Sequence, residues 1–149
     1  MFGAIGKIFK NLPALAASTA GSIIAWSRFG VDHDLELGPA LNGDRYDIAD
    51  GSGGQVAVYR RRSTAGAPVL LVHSVNAAAS AYEMKPLFEQ FASRRPVFAL
   101  DLPGYGHSTR GDRSYTPQLM ADAISNLLES IGEPAHVVAL SLSSEFSAR

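Results

Sequence analysis

From residue 68 onward the 149-residue chain contains three short, nearly uninterrupted apolar runs, Pro68–His73, Pro96–Asp101 and His136–Leu140. Runs of this kind are typical of strands that are buried on both faces, as in a parallel sheet. A hairpin is predicted before them, in which Arg45–Ala49 pairs with Gln55–Arg61 across the glycine-rich turn DGSGG. The second hairpin strand alternates valine with alanine and tyrosine, which predicts one buried face.

Helical periodicity fills both gaps between the apolar runs. In the first gap, apolar residues recur at the spacing i, i+3, i+4 and i+7, and a proline suits the first turn. These residues are Met84, Leu87, Phe88, Phe91 and Pro86. In the second gap, Thr116 is a suitable N-cap, Pro117 suits the first helical position, and Gly132 ends the helix.

The predicted order is therefore a β-hairpin followed by β-α-β-α-β. This order indicates an α/β fold with a parallel sheet and right-handed crossovers. In such sheets ligands bind beyond the carboxyl ends of the strands, which directs attention to the loops after His73, Asp101 and Leu140. We assign residues 43–149 to this domain and residues 1–42 to an N-terminal apolar segment and linker.

Composition narrows the range of functions. The chain is 46% hydrophobic and 18% charged, as expected for a folded globular protein, and its formal net charge is −1. This balance gives no electrostatic reason to expect nucleic acid as a partner. The lack of cysteine excludes disulfides, thiol catalysis and metal sites with cysteine ligands.

The N-terminal segment is apolar apart from Lys7, Lys10 and a few small polar residues. It fits an interfacial helix that binds a membrane surface through residues 1–26. It also fits a signal peptide with ALA at residues 14–16 as the cleavage site, or a helix packed on the body of the protein. The expected location is cytoplasmic or membrane-associated, with export as the alternative. The apolar face of the interfacial helix consists of Phe2, Ile5, Phe9 and Leu12.

The third apolar run leads directly into a cluster of serines, and a helix-compatible tail follows. This is the context of a nucleophile elbow, a sharp strand-to-helix turn that holds a serine in a strained backbone conformation. The residues two before and two after that serine come close together and must be small. Ser141, flanked by Ala139 and Ser143, meets this condition best. The alternative is that Ser141 or Ser143 caps the next helix.

Two further loops favour the elbow. DLPGYGHS, at residues 101–108, matches the D-x-P-G-x-G-x-S loop of α/β-hydrolases, and His73-Ser74-Val75 stands where that family usually has His-Gly. From Asp47 to Arg149 the chain resembles the N-terminal half of an α/β-hydrolase domain, and the sequence ends just after the elbow.

The resemblance implies a serine-type hydrolase without a metal or organic cofactor. Ser141 would attack the carbonyl of a small ester-like substrate, and the backbone N–H groups of Val75 and Leu142 would bind the oxyanion. Serine rather than aspartate at the elbow argues against dehalogenase or epoxide-hydrolase chemistry, which uses a carboxylate nucleophile. Two alternatives stay open: a non-catalytic binding protein of the same fold, and a cofactor-free haloperoxidase-type enzyme.

Other residues of these loops have expected structural roles. By the resemblance, His73 is a hydrogen-bonding residue rather than the general base, and Asp101 and His107 are architectural. Asn76 is expected to line the pocket. Ser74 departs from the family pattern, and a serine would be strained there if the position requires a positive φ.

The catalytic acid and base of the family follow the serine, in the order Ser, Asp or Glu, His. Only eight residues follow Ser141 here, and they include Glu145 but no histidine. His136 begins the strand that leads to the elbow, so it is expected about 15 Å from Ser141. We therefore expect this chain to be an N-terminal fragment that is inactive alone; the sequence carries no signal for its oligomeric state.

Overall fold

The computed structural model describes residues 19–32 and 37–149. By its internal contacts the chain divides before Leu37, whereas the domain boundary predicted at residue 43 stays a prediction. In the first unit, residues 19–30 form helix α1. No helix among the described residues is long and apolar enough to cross a membrane. Two features of the sequence lie outside the described residues: the predicted apolar face of the N-terminal helix (Phe2, Ile5, Phe9 and Leu12) and one of the four histidines, His33.

The second unit is a five-stranded sheet between two helical layers. The strands are β1 (Asp44–Ala49), β2 (Gln55–Arg61), β3 (Val69–Val72), β4 (Val97–Leu100) and β5 (His136–Ala139). The helices are a 3₁₀ helix (Ala81–Met84), α2 (Lys85–Ala92), α3 (Pro117–Ile131) and α4 (Ser143–Ser147). The strand order is β1-β2-β4-β3-β5; β1, β2 and β4 are antiparallel in turn, and β4, β3 and β5 are parallel. The predicted α/β fold is confirmed.

Alternation along the strands gives each face of the sheet its own core. Leu70 of β3 belongs to the cluster that includes Ile124 of α3. Its neighbour Leu71 belongs to the cluster on the opposite face, which includes Phe88 of α2. Both leucines are fully buried, and burying a leucine side chain contributes about 1.5–3 kcal/mol. The short central strand β3 is therefore held by both helical layers.

The predicted helix signals are confirmed. The Thr116 hydroxyl oxygen accepts a hydrogen bond from the N–H of Leu119 at 3.2 Å, and Pro117 is the first residue of α3. Gly132 ends α3 with a left-handed φ of 75°. Pro86 lies in the first turn of α2, and Phe88 provides its fully buried contact with the sheet.

The expectation of one buried face on β2 is wrong. Val56, Ala57, Val58 and Tyr59 are all fully buried. The reason is the position of β2 between β1 and β4, since both faces of an interior strand lie under helical layers. The valines belong to the cluster with α3, and Tyr59 belongs to the cluster with α2.

The expectation that β5 is buried on both faces is also wrong, in the opposite direction. His136 and Val137 are exposed, and Val138 and Ala139 are half-buried. In the described part of the chain, β5 is an edge strand that pairs only with β3. An apolar run therefore predicted the strand correctly but not its surroundings, which depend on neighbours distant in sequence.

The glycine-rich loop after β4 is organised by the buried carboxyl group of Asp101. This group accepts hydrogen bonds from the hydroxyl of Tyr59 at 3.0 Å, the N–H of Ala81 at 2.7 Å and the N–H of His107 at 3.0 Å. Gly106 has a φ of 48°, and a Cβ atom there would lie 2.2 Å from the Asp101 carboxyl carbon. Only glycine allows the loop to fold this closely over the carboxyl group.

We expect Gly106→Ala to lower the free energy of unfolding by at least about 2 kcal/mol more than Gly132→Ala does. Both substitutions place a Cβ atom at a positive φ, but only the first displaces a buried hydrogen-bonding group, because nothing lies within 4 Å of a Cβ at Gly132. Urea unfolding of the two variants measures the difference. Equal losses would show that Asp101 moves away without cost.

Candidate active site

The three loops singled out by the sequence meet at one edge of the sheet. The chain passes from β3 to β4 on one side and then to β5 on the other side of β3, so the strand order reverses between β3 and β5. A crevice at the carboxyl ends of the strands at such a point is the usual ligand site of an α/β sheet. An open cleft of about 1230 Å³ lies here, and Val75, Asn76 and Leu142 contribute to its lining.

Ser141 lies at a sharp strand-to-helix turn. β5 ends at Ala139 and α4 begins at Ser143, with hydrogen bonds from the N–H of Ser143 to the carbonyl of Leu140 (3.2 Å) and from the N–H of Ser144 to that of Ser141 (3.0 Å). Ser141 has a φ of 55°, and no other non-glycine residue in the described ranges has a positive φ. Such a conformation costs of order 1–3 kcal/mol. Ser141 is exposed, and it is the next residue, Leu142, that lines the cleft.

The alternative role of these serines as side-chain caps is not adopted. The N-cap of α4 is Leu142, and no side chain makes a capping hydrogen bond there. The hydroxyl of Ser143 instead donates to the carbonyl oxygen of His73 at 2.5 Å. Ser143 is fully buried, in contrast to the exposed Ser141.

His73 is fully buried, and both of its ring nitrogens are engaged. Nε2 lies 2.9 Å from the N–H of Leu102, so it must accept, and Nδ1 lies 2.6 Å from the carbonyl oxygen of Ser74, so it must donate. Only the neutral tautomer with a proton on Nδ1 satisfies both contacts. Burial also lowers the pKa of His73. His73 is therefore a hydrogen-bonding residue of the fold, which is the role expected from the sequence.

The same contact orients the backbone at Val75. The peptide between Ser74 and Val75 is trans and planar, so its N–H points away from its carbonyl. Because that carbonyl faces His73, the N–H of Val75 faces the opposite way. Neither this N–H nor that of Leu142 has a hydrogen-bond acceptor among the described residues, and both residues line the cleft.

Ser74 is not strained, because its φ is not positive. Its N–H donates to the Oε2 atom of Glu83 at 2.9 Å, and the Asn76 side-chain amide donates to Oε1 at 2.9 Å. Burial acts to raise the pKa of Glu83, but the hydrogen bonds from Ser74 and Asn76 outweigh it and hold the pKa below its ordinary value. Sequence reasoning missed Glu83, because a glutamate in a predicted helical segment carries no distinguishing signal.

Neither of the other described histidines makes a hydrogen bond to Ser141, although His107 lines the cleft. His107 contacts Arg45 at 3.3 Å through Nδ1 and the carbonyl oxygen of Gly38 at 3.1 Å through Nε2. His136 begins β5, at the end of the strand remote from the elbow. Within the described ranges, no group of three potential ligands could hold a metal ion.

A model of the alpha/beta hydrolase family matches residues 69–144, which include all three loops. The chain belongs to the alpha/beta hydrolase family. No curated protein sequence matches the chain.

Solved structures agree with this assignment to the alpha/beta hydrolases. A haloalkane dehalogenase loop variant from Bradyrhizobium elkanii is similar with a TM-score of 0.61 at 26% identity, over 70% of this chain and 34% of that one. A serine hydrolase involved in carbazole degradation is similar with a TM-score of 0.58 at 18% identity, over 70% and 41%. An epoxide hydrolase from Vigna radiata gives 0.61 at 21% identity, over 70% and 32%. The chain thus spans only 32–41% of these proteins' lengths.

The strain at the elbow predicts a stability difference between two variants that both lack the Ser141 hydroxyl. Ser141→Gly is expected to be more stable than Ser141→Ala by about 1 kcal/mol, because glycine adopts a positive φ without the steric cost of a Cβ atom. Chemical unfolding measures this difference. Equal stability of the two variants would mean that the turn relaxes to a negative φ.

The hydrogen bonds of His73 predict its titration behaviour. We expect its imidazole to remain neutral, with the proton on Nδ1, as the pH falls through 6.5, because burial lowers its pKa from that value. The unfolded state then binds a proton that the folded state does not, so stability decreases as the pH falls below 6.5. NMR titration of the ring nitrogens checks this. A midpoint at or above 6.5, or a proton on Nε2, would contradict the assigned tautomer.

Proposed function

We propose that the protein containing this chain is a serine-type hydrolase in which Ser141 is the nucleophile. The observation that carries the proposal is the positive φ of Ser141. An exposed serine held in this conformation at the carboxyl edge of the sheet has the geometry that a nucleophile elbow needs. Glycine would adopt this φ without strain, so the presence of a serine indicates that its side chain has a function.

The proposed reaction is acyl transfer. The Ser141 oxygen attacks the substrate carbonyl while a general base takes the hydroxyl proton, and the carbonyl oxygen becomes an oxyanion. The N–H groups of Val75 and Leu142 stabilise this oxyanion, each contributing about 3 kcal/mol where such donors are preorganised. Collapse expels the alcohol, which takes the proton back from the base, and water then releases the acid by the same steps. No hydrogen bond joins a described histidine to Ser141, so we assign the base and its orienting acid to residues other than these histidines.

The cleft favours a small substrate with apolar character. Its lining includes Ala77 and Ala78 after the oxyanion loop, Tyr105 from the glycine-rich loop, and Met120 and Phe146 from the helices. Pockets with apolar walls and a few directed polar groups are typical of small-molecule sites. We propose an ester or a related acyl compound. The serine at the elbow distinguishes this chemistry from a carboxylate nucleophile.

A fluorophosphonate probe tests the proposal, because it labels a serine only where the hydroxyl is activated. We expect the full-length protein to be labelled at Ser141 and Ser141→Ala to lose labelling completely. Ser147→Ala is the matched control, since it removes a hydroxyl from α4, which follows the elbow, and the hydrogen bond of that hydroxyl to the Ser143 carbonyl stays within α4. Peptide mass spectrometry locates the adduct.

The 149-residue chain provides a second arm of this experiment. If the base lies outside the sequence, this chain is expected to label at least about 10³-fold more slowly than the full-length protein. Equal labelling of the two would place the base within these residues. A folded full-length protein that does not label would contradict the hydrolase proposal and favour a non-catalytic binding protein.

A further inference from the structure

The peptide between His73 and Ser74 is held at both of its polar ends by side chains from other elements. Its carbonyl oxygen accepts a hydrogen bond from the hydroxyl of Ser143 at 2.5 Å, and its N–H donates a hydrogen bond to the carboxylate of Glu83 at 2.9 Å. Ser143 is the first residue of α4 and Glu83 lies on the 3₁₀ helix, so the two side chains come from elements 60 residues apart in sequence. Neither contact is part of a helix or sheet ladder.

This doubly held peptide precedes the peptide that carries the Val75 N–H. The next carbonyl, that of Ser74, is bound by Nδ1 of His73. Two successive peptide planes are thus fixed, and planarity leaves the Val75 N–H no freedom to rotate independently. A side chain at the elbow is thereby hydrogen-bonded to the peptide that precedes the one carrying the Val75 N–H.

Ser143 also connects this loop to the other proposed donor. Leu142 is the adjacent residue, so its N–H and the hydroxyl of Ser143 belong to the same turn of chain. The last backbone hydrogen bond between β3 and β5 runs from the N–H of Leu140 to the carbonyl of Val72 at 3.0 Å. The Ser143 hydroxyl continues that connection beyond the end of the sheet. A glycine, the usual residue two positions after the nucleophile in G-x-S-x-G, has no group for this task.

We propose that Ser143 and Glu83 are positioning residues, which clamp the His73–Ser74 peptide and so fix the separation and direction of the two oxyanion donors. The clamp rests on the proposed function for its catalytic consequence, but its structural part does not. A requirement for a small residue alone would explain the size of Ser143 but not the use of its hydroxyl.

The test compares Ser143→Ala, Glu83→Gln and the double variant in the full-length protein. Each single change is expected to lower the second-order rate of fluorophosphonate labelling by about 3- to 10-fold, because one oxyanion donor loses its preorganisation. The double variant is expected to be no more than about 2-fold slower than the slower single variant, because both side chains act on one peptide. The pH dependence of labelling is expected to stay unchanged, since the base is not altered.

The controls are Ser147→Ala and Glu89→Gln, which remove the same chemical groups from α4 and α2 at positions without contact to the peptide. Both are expected to label at the original rate. Unchanged labelling of Ser143→Ala, or multiplicative effects in the double variant, would overturn the clamp.

Hydrogen exchange of the Ser74 amide provides a readout that needs no activity. This N–H is bonded to Glu83, on the opposite side of the peptide from Ser143. We expect Ser143→Ala to raise its exchange rate by about 3- to 10-fold without raising that of β3, β4 or α3, and Ser147→Ala to leave it unchanged. Faster exchange throughout the protein would show a purely structural role and overturn the proposal. If the original protein does not label but this local change occurs, the hydrolase function fails and the peptide clamp stands.

Discussion

His73 joins all three loops at the carboxyl edge of the sheet. Its Nε2 atom binds the loop after β4 through Leu102, its Nδ1 atom binds its own loop at Ser74, and its carbonyl oxygen accepts from Ser143 at the elbow. Because the side chain is fully buried, each contact lies in a low-dielectric environment where an unsatisfied partner is costly. The relative positions of the loops therefore depend on one residue that takes no part in the proposed chemistry.

The neutrality of this imidazole is a condition for the arrangement. A second proton would place an Nε2–H against the N–H of Leu102, two donors facing each other in the core. The side chains of His73 and Asp101 have hydrogen-bond partners within the fold. The N–H groups of Val75 and Leu142, by contrast, have no acceptor among the described residues, and both residues line the cleft. Donors already fixed in direction need no reorganisation when charge develops, which is the basis of electrostatic preorganisation.

The sequence predicts those features whose cause is local. Thr116, Pro117 and Gly132 delimit α3 because capping and left-handed termination depend on neighbouring residues. The predictions for the burial of β2 and β5 are wrong because burial depends on which strands lie beside them. An interior strand and an edge strand can have the same apolar sequence pattern. The contact from Ser143 to His73 spans 70 residues, and no spacing rule could have indicated it. Strain at Ser74 depends on a positive φ, which the glycine of the family pattern allows; Ser74 does not have one, and its N–H donates to Glu83.

The positions of the glycines in the second unit show that Ser141 is exceptional. Every other positive-φ position among the described residues is occupied by glycine, including Gly104 and Gly106 in the loop after β4. Glycine, which adopts a positive φ without a steric penalty, thus occupies these positions, and among the described residues only Ser141 has a positive φ with a side chain. A local rule broken at an energetic cost, at an exposed position beside the cleft, is expected where the side chain itself has a task. The flanking Ser143 shows the complementary solution, because it is small enough for the tight turn and still supplies the hydroxyl that binds the elbow to the neighbouring loop.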